Sequence, residues 1–88
     1  SRTQLALVCS DRPGLLAHVA QAFRSCGVRV HDARIATFGE RAEDFFLLSD
    51  ENDRPLDLAC QDRLRIAILN EIEDLRRDSA SAAAAASA

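Results

Sequence analysis

Between Cys9 and Leu15 the apolar residues of this sequence change period, and no single regular element spans such a change. Residues 3–9, Thr-Gln-Leu-Ala-Leu-Val-Cys, are a short apolar run bounded by Ser10 and Asp11, which reads as a strand. Beyond it Leu15, Leu16, Val19, Ala20, Phe23 and Cys26 recur at helical spacing and predict a helix over 13–26. The stretch Asp11-Arg12-Pro13-Gly14 therefore has to turn the chain from one element into the other. Pro13 suits a first helical position, because its missing N–H has no helical partner there and its φ is already helix-like. Gly14 admits close approach of backbone or ligand. A tight turn into a helix N-terminus presents unpaired N–H groups and partial positive charge, a ready place for a small anion such as a carboxylate.

Both parities of the first strand are apolar: Leu5, Leu7 and Cys9 point one way, Ala6 and Val8 the other. That predicts a strand covered on both sides or lying close to a partner. Gly27 follows the first helix where a left-handed residue ends one, and His18, Gln21, Arg24 and Ser25 fall on its outer face. Residues 28–38 read as a long, polar second strand whose alternation breaks phase. Val28 and Val30 share one face and Ala33 and Ile35 the other, so a bulge near His31-Asp32 is needed to bury both pairs. Gly39-Glu40-Arg41 is a hairpin turn, and residues 42–49, with Phe45, Phe46, Leu47 and Leu48, read as a central third strand.

Residues 50–55 form a polar loop. Asp57 then caps a second helix over 58–77, with Arg76 and Arg77 near its C-terminal end. Cys60, Leu64, Ala67, Ile68, Ile72 and Leu75 form its core stripe, while Ile66 and Leu69 fall partly off it and suggest a second contact surface. The domain is expected over 1–78, and the Ser/Ala run 79–88 is expected to be a tail, a frayed helix, disordered or an artefact, outside the fold.

The order strand, helix, strand, strand, helix predicts an α+β fold of the ferredoxin-like βαββαβ pattern with the last strand missing: an antiparallel sheet with two helices on one face. The missing strand would pair with the first, which is left an exposed edge. A second copy or a neighbouring domain is the expected cover.

At 88 residues the chain suffices for one small domain and is too short for a multidomain enzyme. Without an initiator Met or a leader, Ser1 reads as the cut end of a longer chain. All basic residues are Arg, which reads as compositional bias. A net charge of −3 argues against a nucleic-acid surface, whose affinity rests on neutralising phosphates. No apolar run is long enough to span a membrane. Cys9, Cys26 and Cys60, odd in number and widely spaced, read as small buried hydrophobes in a reducing, cytoplasmic compartment rather than as metal ligands, and nothing in the sequence calls for a cofactor.

Several polar residues have both a bland and a functional reading. Asp11 either caps the first helix or accepts hydrogen bonds from a ligand's ammonium group while the Gly14 and Leu15 N–H groups face its carboxylate. Arg12 is either a solvated loop residue or a carboxylate clamp. His31 and Asp32 are adjacent on a strand, point to opposite faces and cannot form a general-base pair. His18 reads as surface. Glu43 and Asp44 also alternate faces, and with Arg34 and Arg41 are expected in cross-strand ion pairs worth little each. An RNA-binding module shares the element order, and Phe45 and Phe46 fit it superficially. Adjacent Phe residues face opposite ways, however, and Glu43-Asp44 precede them, which speaks against that alternative.

The run Asp11-Arg12-Pro13-Gly14-Leu15-Leu16, the helix end Cys26-Gly27-Val28 and the segment from His31 to Phe46 resemble ACT domains, small regulatory modules that often bind amino acids. The Gly39-Glu40-Arg41-Ala42-Glu43-Asp44 segment is most similar to the C-terminal ACT domains of bifunctional uridylyltransferase/uridylyl-removing enzymes acting on the PII protein. The resemblance implies a regulatory βαββαβ fold with no catalysis of its own. It also implies glutamine or another small amino acid as ligand, a homodimer or neighbouring ACT domain as partner, and PII only through the parent enzyme. Carried over by position, the ligand site is Asp11, Arg12, Gly14 and Leu15, with Arg29 at the place on the second strand where Asn is common. An Arg there holds a carboxylate or fills the pocket. The rival reading is a structural ACT domain that dimerises or docks without a ligand.

Overall fold

The computed structural model describes residues 2–87, with side chains through Asp78. In chain order the elements are β1 (Thr3–Ser10), α1 (Leu15–Ser25), β2 (Arg29–Phe38), β3 (Arg41–Ser49) and α2 (Leu58–Ser87). The strands form one antiparallel sheet in the order β1-β3-β2, so β3 is central as its doubly apolar sequence predicts. No further strand is present among the described residues, and β1 is an edge. Between that edge and α2 runs an apolar groove of about 320 Å³, lined by Leu5, Leu7, Leu64 and Ile68 among others.

Strand parity decides what is buried. Leu5, Leu7 and Cys9 of β1 stand beside Phe46, Asp44 and Ala42 of β3, and this face carries the helices. Leu15, Val19, Ala22 and Phe23 of α1 and Cys60, Leu64, Ile68 and Leu75 of α2 close the core over it. The Phe23 and Phe46 rings meet edge to face at 5.1 Å, the arrangement that their quadrupoles favour. On the other face Val8, Phe38 and Phe45 are exposed, so β1 is not covered on both sides.

The helix ends follow from local chemistry. Asp57 caps α2 as expected, its carboxylate accepting from the Cys60 N–H at 2.8 Å. At the end of α1 the Val28 N–H donates to the Phe23 carbonyl and the Gly27 N–H to the Arg24 carbonyl, with Gly27 at φ 66. This pair of bonds is the Schellman closure, and Val28 is buried behind it. α2 runs past Arg77 to Ser87, as the high helix propensity of Ala allows. Arg76 and Arg77 therefore sit within the helix and pair with Glu73 and Asp74 rather than facing its C-terminal carbonyls. The side chains of the expected tail, 79–88, lie outside the described residues, and no described helix is long and apolar enough to cross a membrane.

β2 departs from expectation in part. The register shifts between Val30 and Asp32, which places the bulge at His31 where the phase break requires it. Val28 is buried, yet Val30 and Ile35 are about half exposed. β2 is the far edge of the sheet, and the helices do not reach across it. The bulge restores the parity, but only a covering element could bury the side chains.

Candidate functional site

The β1–α1 turn is built on Gly14. The Leu15 N–H donates to the Arg12 carbonyl at 3.1 Å, and Gly14 in the third place has φ 85 and ψ −1. With Pro13 second, this is a type II turn, which demands a positive φ at its third residue. Pro13 therefore precedes the helix and does not occupy its first position. Replacing Gly14 by Ala places the new Cβ 3.6 Å from Leu75 Cδ1, ordinary contact, so the cost lies in the backbone. We expect Gly14→Ala to lose about 1–2 kcal/mol of stability by urea titration; no loss would mean that the turn relaxes to another type.

Asp11 does not cap α1, which has no side-chain cap. Its backbone N–H instead donates to the Glu40 carbonyl at 2.7 Å and ties the turn to the β2–β3 hairpin. The Leu15 N–H is spent within the turn and is unavailable to a ligand, contrary to its expected role. The His18 N–H donates to the Gly14 carbonyl, which leaves the Leu16 and Ala17 N–H groups as the first-turn donors with no backbone partner. Leu16, expected in the core, is 45% exposed beside them.

These groups open on a cavity of about 190 Å³. Asp11, Arg12, Gly14 and Leu15 line it, as do Leu16 and Ala17 from the helix, Ile35 and Thr37 from β2, and Ala42 and Asp44 from β3. Four of the five expected site residues therefore meet in one place. Arg29 does not join them within one chain. It pairs with Ser49, whereas the turn adjoins Ser10, Phe38 and Arg41 at the opposite end of the sheet. About nine residue steps, roughly 30 Å, separate the two.

Asp44 is the residue that sequence reading missed. It is 1% exposed, neither carboxylate oxygen has a hydrogen-bond partner among the described residues, and it lines the cavity. Burial raises its carboxyl pKa from the ordinary aspartate value. The Ala36 N–H opposes this without reaching hydrogen-bond geometry, and the Asp11 charge adds to it. The expected ion pairs of Asp44 with arginine are absent among the described residues: Arg41 pairs with Glu43 on its own strand and Arg34 with Asp32. The signal was in the parity of Ala42, Asp44, Phe46 and Leu48, which puts Asp44 among core residues. Cys9 is next in the same layer, and burial, with Asp44 and then Asp11, raises its pKa. The thiol thus stays protonated at neutral pH, unlike a nucleophile.

Both histidines do structural work. His18 is not a free surface residue: its Nδ1 lies 3.1 Å from Glu71 Oε1 and links α1 to α2. His31 Nε2 lies 2.7 Å from Ser49 Oγ and 3.4 Å from Asp53, which anchors the bulge to the loop after β3.

Comparison with known proteins agrees with this architecture. Residues 3–65 match the ACT domain family. A bifunctional uridylyltransferase/uridylyl-removing enzyme of Xanthomonas campestris pv. campestris (strain B100) is 61% identical over 67 residues, 76% of this chain and 8% of its own length. The enzyme of the same name from Methylococcus capsulatus is 57% identical over 53 residues, 60% of this chain and 6% of its own. The chain thus spans under a tenth of these relatives' length. Among solved structures, a candidate glycine cleavage system transcriptional repressor aligns with a TM-score of 0.61 at 22% identity, covering 83% of this chain and 39% of that one, and shares the fold. The chain belongs to the ACT domain family, whose members are regulatory rather than catalytic modules.

Proposed function

We propose that this chain is an amino-acid-sensing regulatory domain, with glutamine as ligand, belonging to a cytoplasmic bifunctional uridylyltransferase/uridylyl-removing enzyme that acts on PII in nitrogen assimilation. The cavity at the β1–α1 turn carries the reading: two unpaired helix amides and the turn residues Asp11, Arg12, Gly14 and Leu15 border a space of about 190 Å³. That is room for about six waters, the scale of a small amino acid. The amides suit its carboxylate. Arg29 enters such a site only from a second copy of the domain, whose sheet end would have to lie against this turn. The names of the relatives support the choice of parent enzyme and of nitrogen metabolism.

A ligand that binds only the folded state raises stability by about 2.7 kcal/mol at a hundredfold excess over Kd. Titrating the chain with millimolar L-glutamine is expected to raise its Tm by several degrees. A flat response in a folded sample favours the rival reading, a structural ACT domain. The observation that supports that rival is the exposed apolar face of Val8, Phe38 and Phe45.

A further inference from the structure

We infer that Asp44 is the recognition group for a primary ammonium, and that it makes the cavity selective for zwitterionic α-amino acids over carboxylates of the same shape. This rests on the amino-acid reading above and names the group that reading lacked. A carboxylate that is 1% exposed and has no hydrogen-bond partner is rare in a folded protein, because the desolvation of a charge is compensated by partners or avoided. Among the described residues no arginine pairs with Asp44 and the nearby Ala36 N–H makes no hydrogen bond to it, yet Asp44 lines the cavity, into which a turn of its side chain would bring the sealed oxygens. A ligand donor in that space would supply the missing hydrogen bonds.

The rest of the cavity decides which donor. On the α1 side stand the Leu16 and Ala17 N–H groups and the positive end of the helix dipole, which repel a bare cation and attract an anion. A hard metal ion needs six or more oxygens, and besides Asp44 the cavity has only the exposed Asp11 and the Thr37 hydroxyl as side-chain oxygens. One wall accepting and the other donating fits a molecule that carries both charges on neighbouring atoms. An α-amino acid does so: its carboxylate toward the amides, its ammonium toward Asp44. Asp11, exposed at the rim, is already solvated and gains less from a ligand than Asp44 does. The ligand's ammonium therefore goes to Asp44 rather than to Asp11.

The test compares L-glutamine with 4-carbamoylbutanoate, the same chain without the α-ammonium, by calorimetric titration of the 88-residue protein. The unmodified protein is expected to bind glutamine at least about tenfold tighter, the discrimination a charge-assisted hydrogen bond confers. Asp44→Asn, shown folded by circular dichroism, is expected to lose that discrimination, while Asp11→Asn retains most of it. Independently of any variant, the ¹³C resonance of the Asp44 carboxyl is expected to move with glutamine and not with the analogue. Discrimination that survives in Asp44→Asn, or an Asp44 resonance that ignores glutamine while glutamine binds, overturns the inference and leaves the amino-acid reading standing. If the unmodified protein binds none of the standard amino acids, that reading itself fails.

Discussion

Leu48→Ala is expected to cost about 2–5 kcal/mol of stability. Leu48 is fully buried near the C-terminal end of the central strand, opposite Thr3 of β1 and Val30 of β2, and faces the layer sealed by both helices. Removing its branched end leaves a cavity that central-strand backbone cannot collapse around, because β3 is held by ladders on both sides. A domain of this size has roughly 4–13 kcal/mol of stability in all, so the variant should be largely unfolded, or close to it, at 37 °C. In urea the midpoint should fall sharply with little change in slope. Leu69→Ala is the control: that side chain is 59% exposed and should change stability by no more than about 0.5 kcal/mol. A loss below about 1 kcal/mol for Leu48→Ala would mean that the layer is not closed in solution.

The second large effect has the opposite sign. Asp44→Asn should stabilise the ligand-free protein at pH 7 by about 1–3 kcal/mol, since it removes an unpaired charge from a buried position at nearly constant shape. Tm should rise by roughly 4–8 °C for each kcal/mol gained. The pH dependence follows from linkage. Burial raises the folded-state pKa of Asp44 above its unfolded value, so the folded chain holds this proton more tightly. Its contribution to stability is full below the ordinary aspartate value of about 3.9 and is lost as pH rises through the raised folded value. The gap in stability between Asp44→Asn and the unmodified protein should therefore be widest at neutral pH and close on acidification through that window. Asp11 and Arg12 at the turn and the Cys9 thiol on β1 are the titratable or charged groups around it. They are common to both proteins and drop out of the difference to first order. A gap that stays constant with pH, or a variant less stable than its parent, would show that Asp44 finds a partner in solution.

Together the two substitutions separate the roles of one layer. Leu48 and Asp44 share a parity on β3 and lie four residues apart on the same covered face. One supplies stability, and the other reduces it unless something bonds to it. Such a conflict between local burial and local chemistry is the kind that functional or strained positions carry.

Much of this was legible in the chain. Strand and helix periods located every element to within a few residues except the C-terminal end of α2, expected at Arg77 and found at Ser87, because period 2 and period 3.6 are backbone geometry and need no tertiary context. Gly14, Gly27 and Asp57 marked the turn and two helix boundaries through their own φ preferences and side-chain chemistry, and the phase break in residues 28–38 located the bulge at His31. What failed was whatever depended on a neighbour distant in sequence. Pro13 satisfied the rule for a first helical position and for the second place of a type II turn equally well, and the Gly14 conformation chose the turn. Val30 and Ile35 had core chemistry, but no element covers them. His18 had a surface position on its own helix until α2 brought Glu71 to it.

The sequence by itself thus determined the order of elements, the turn into α1 and the family to which the chain belongs. These rest on dihedral preference, apolar spacing and short motifs, all properties of contiguous residues. Only the tertiary structure decided that Asp44 is sealed with no partner among the described residues beside the open amides of Leu16 and Ala17, and that Arg29 lies at the far end of the sheet from them. Those outcomes depend on strand order and on where two helices come to rest, which arise from the packing of the whole domain and are written in no local stretch of it.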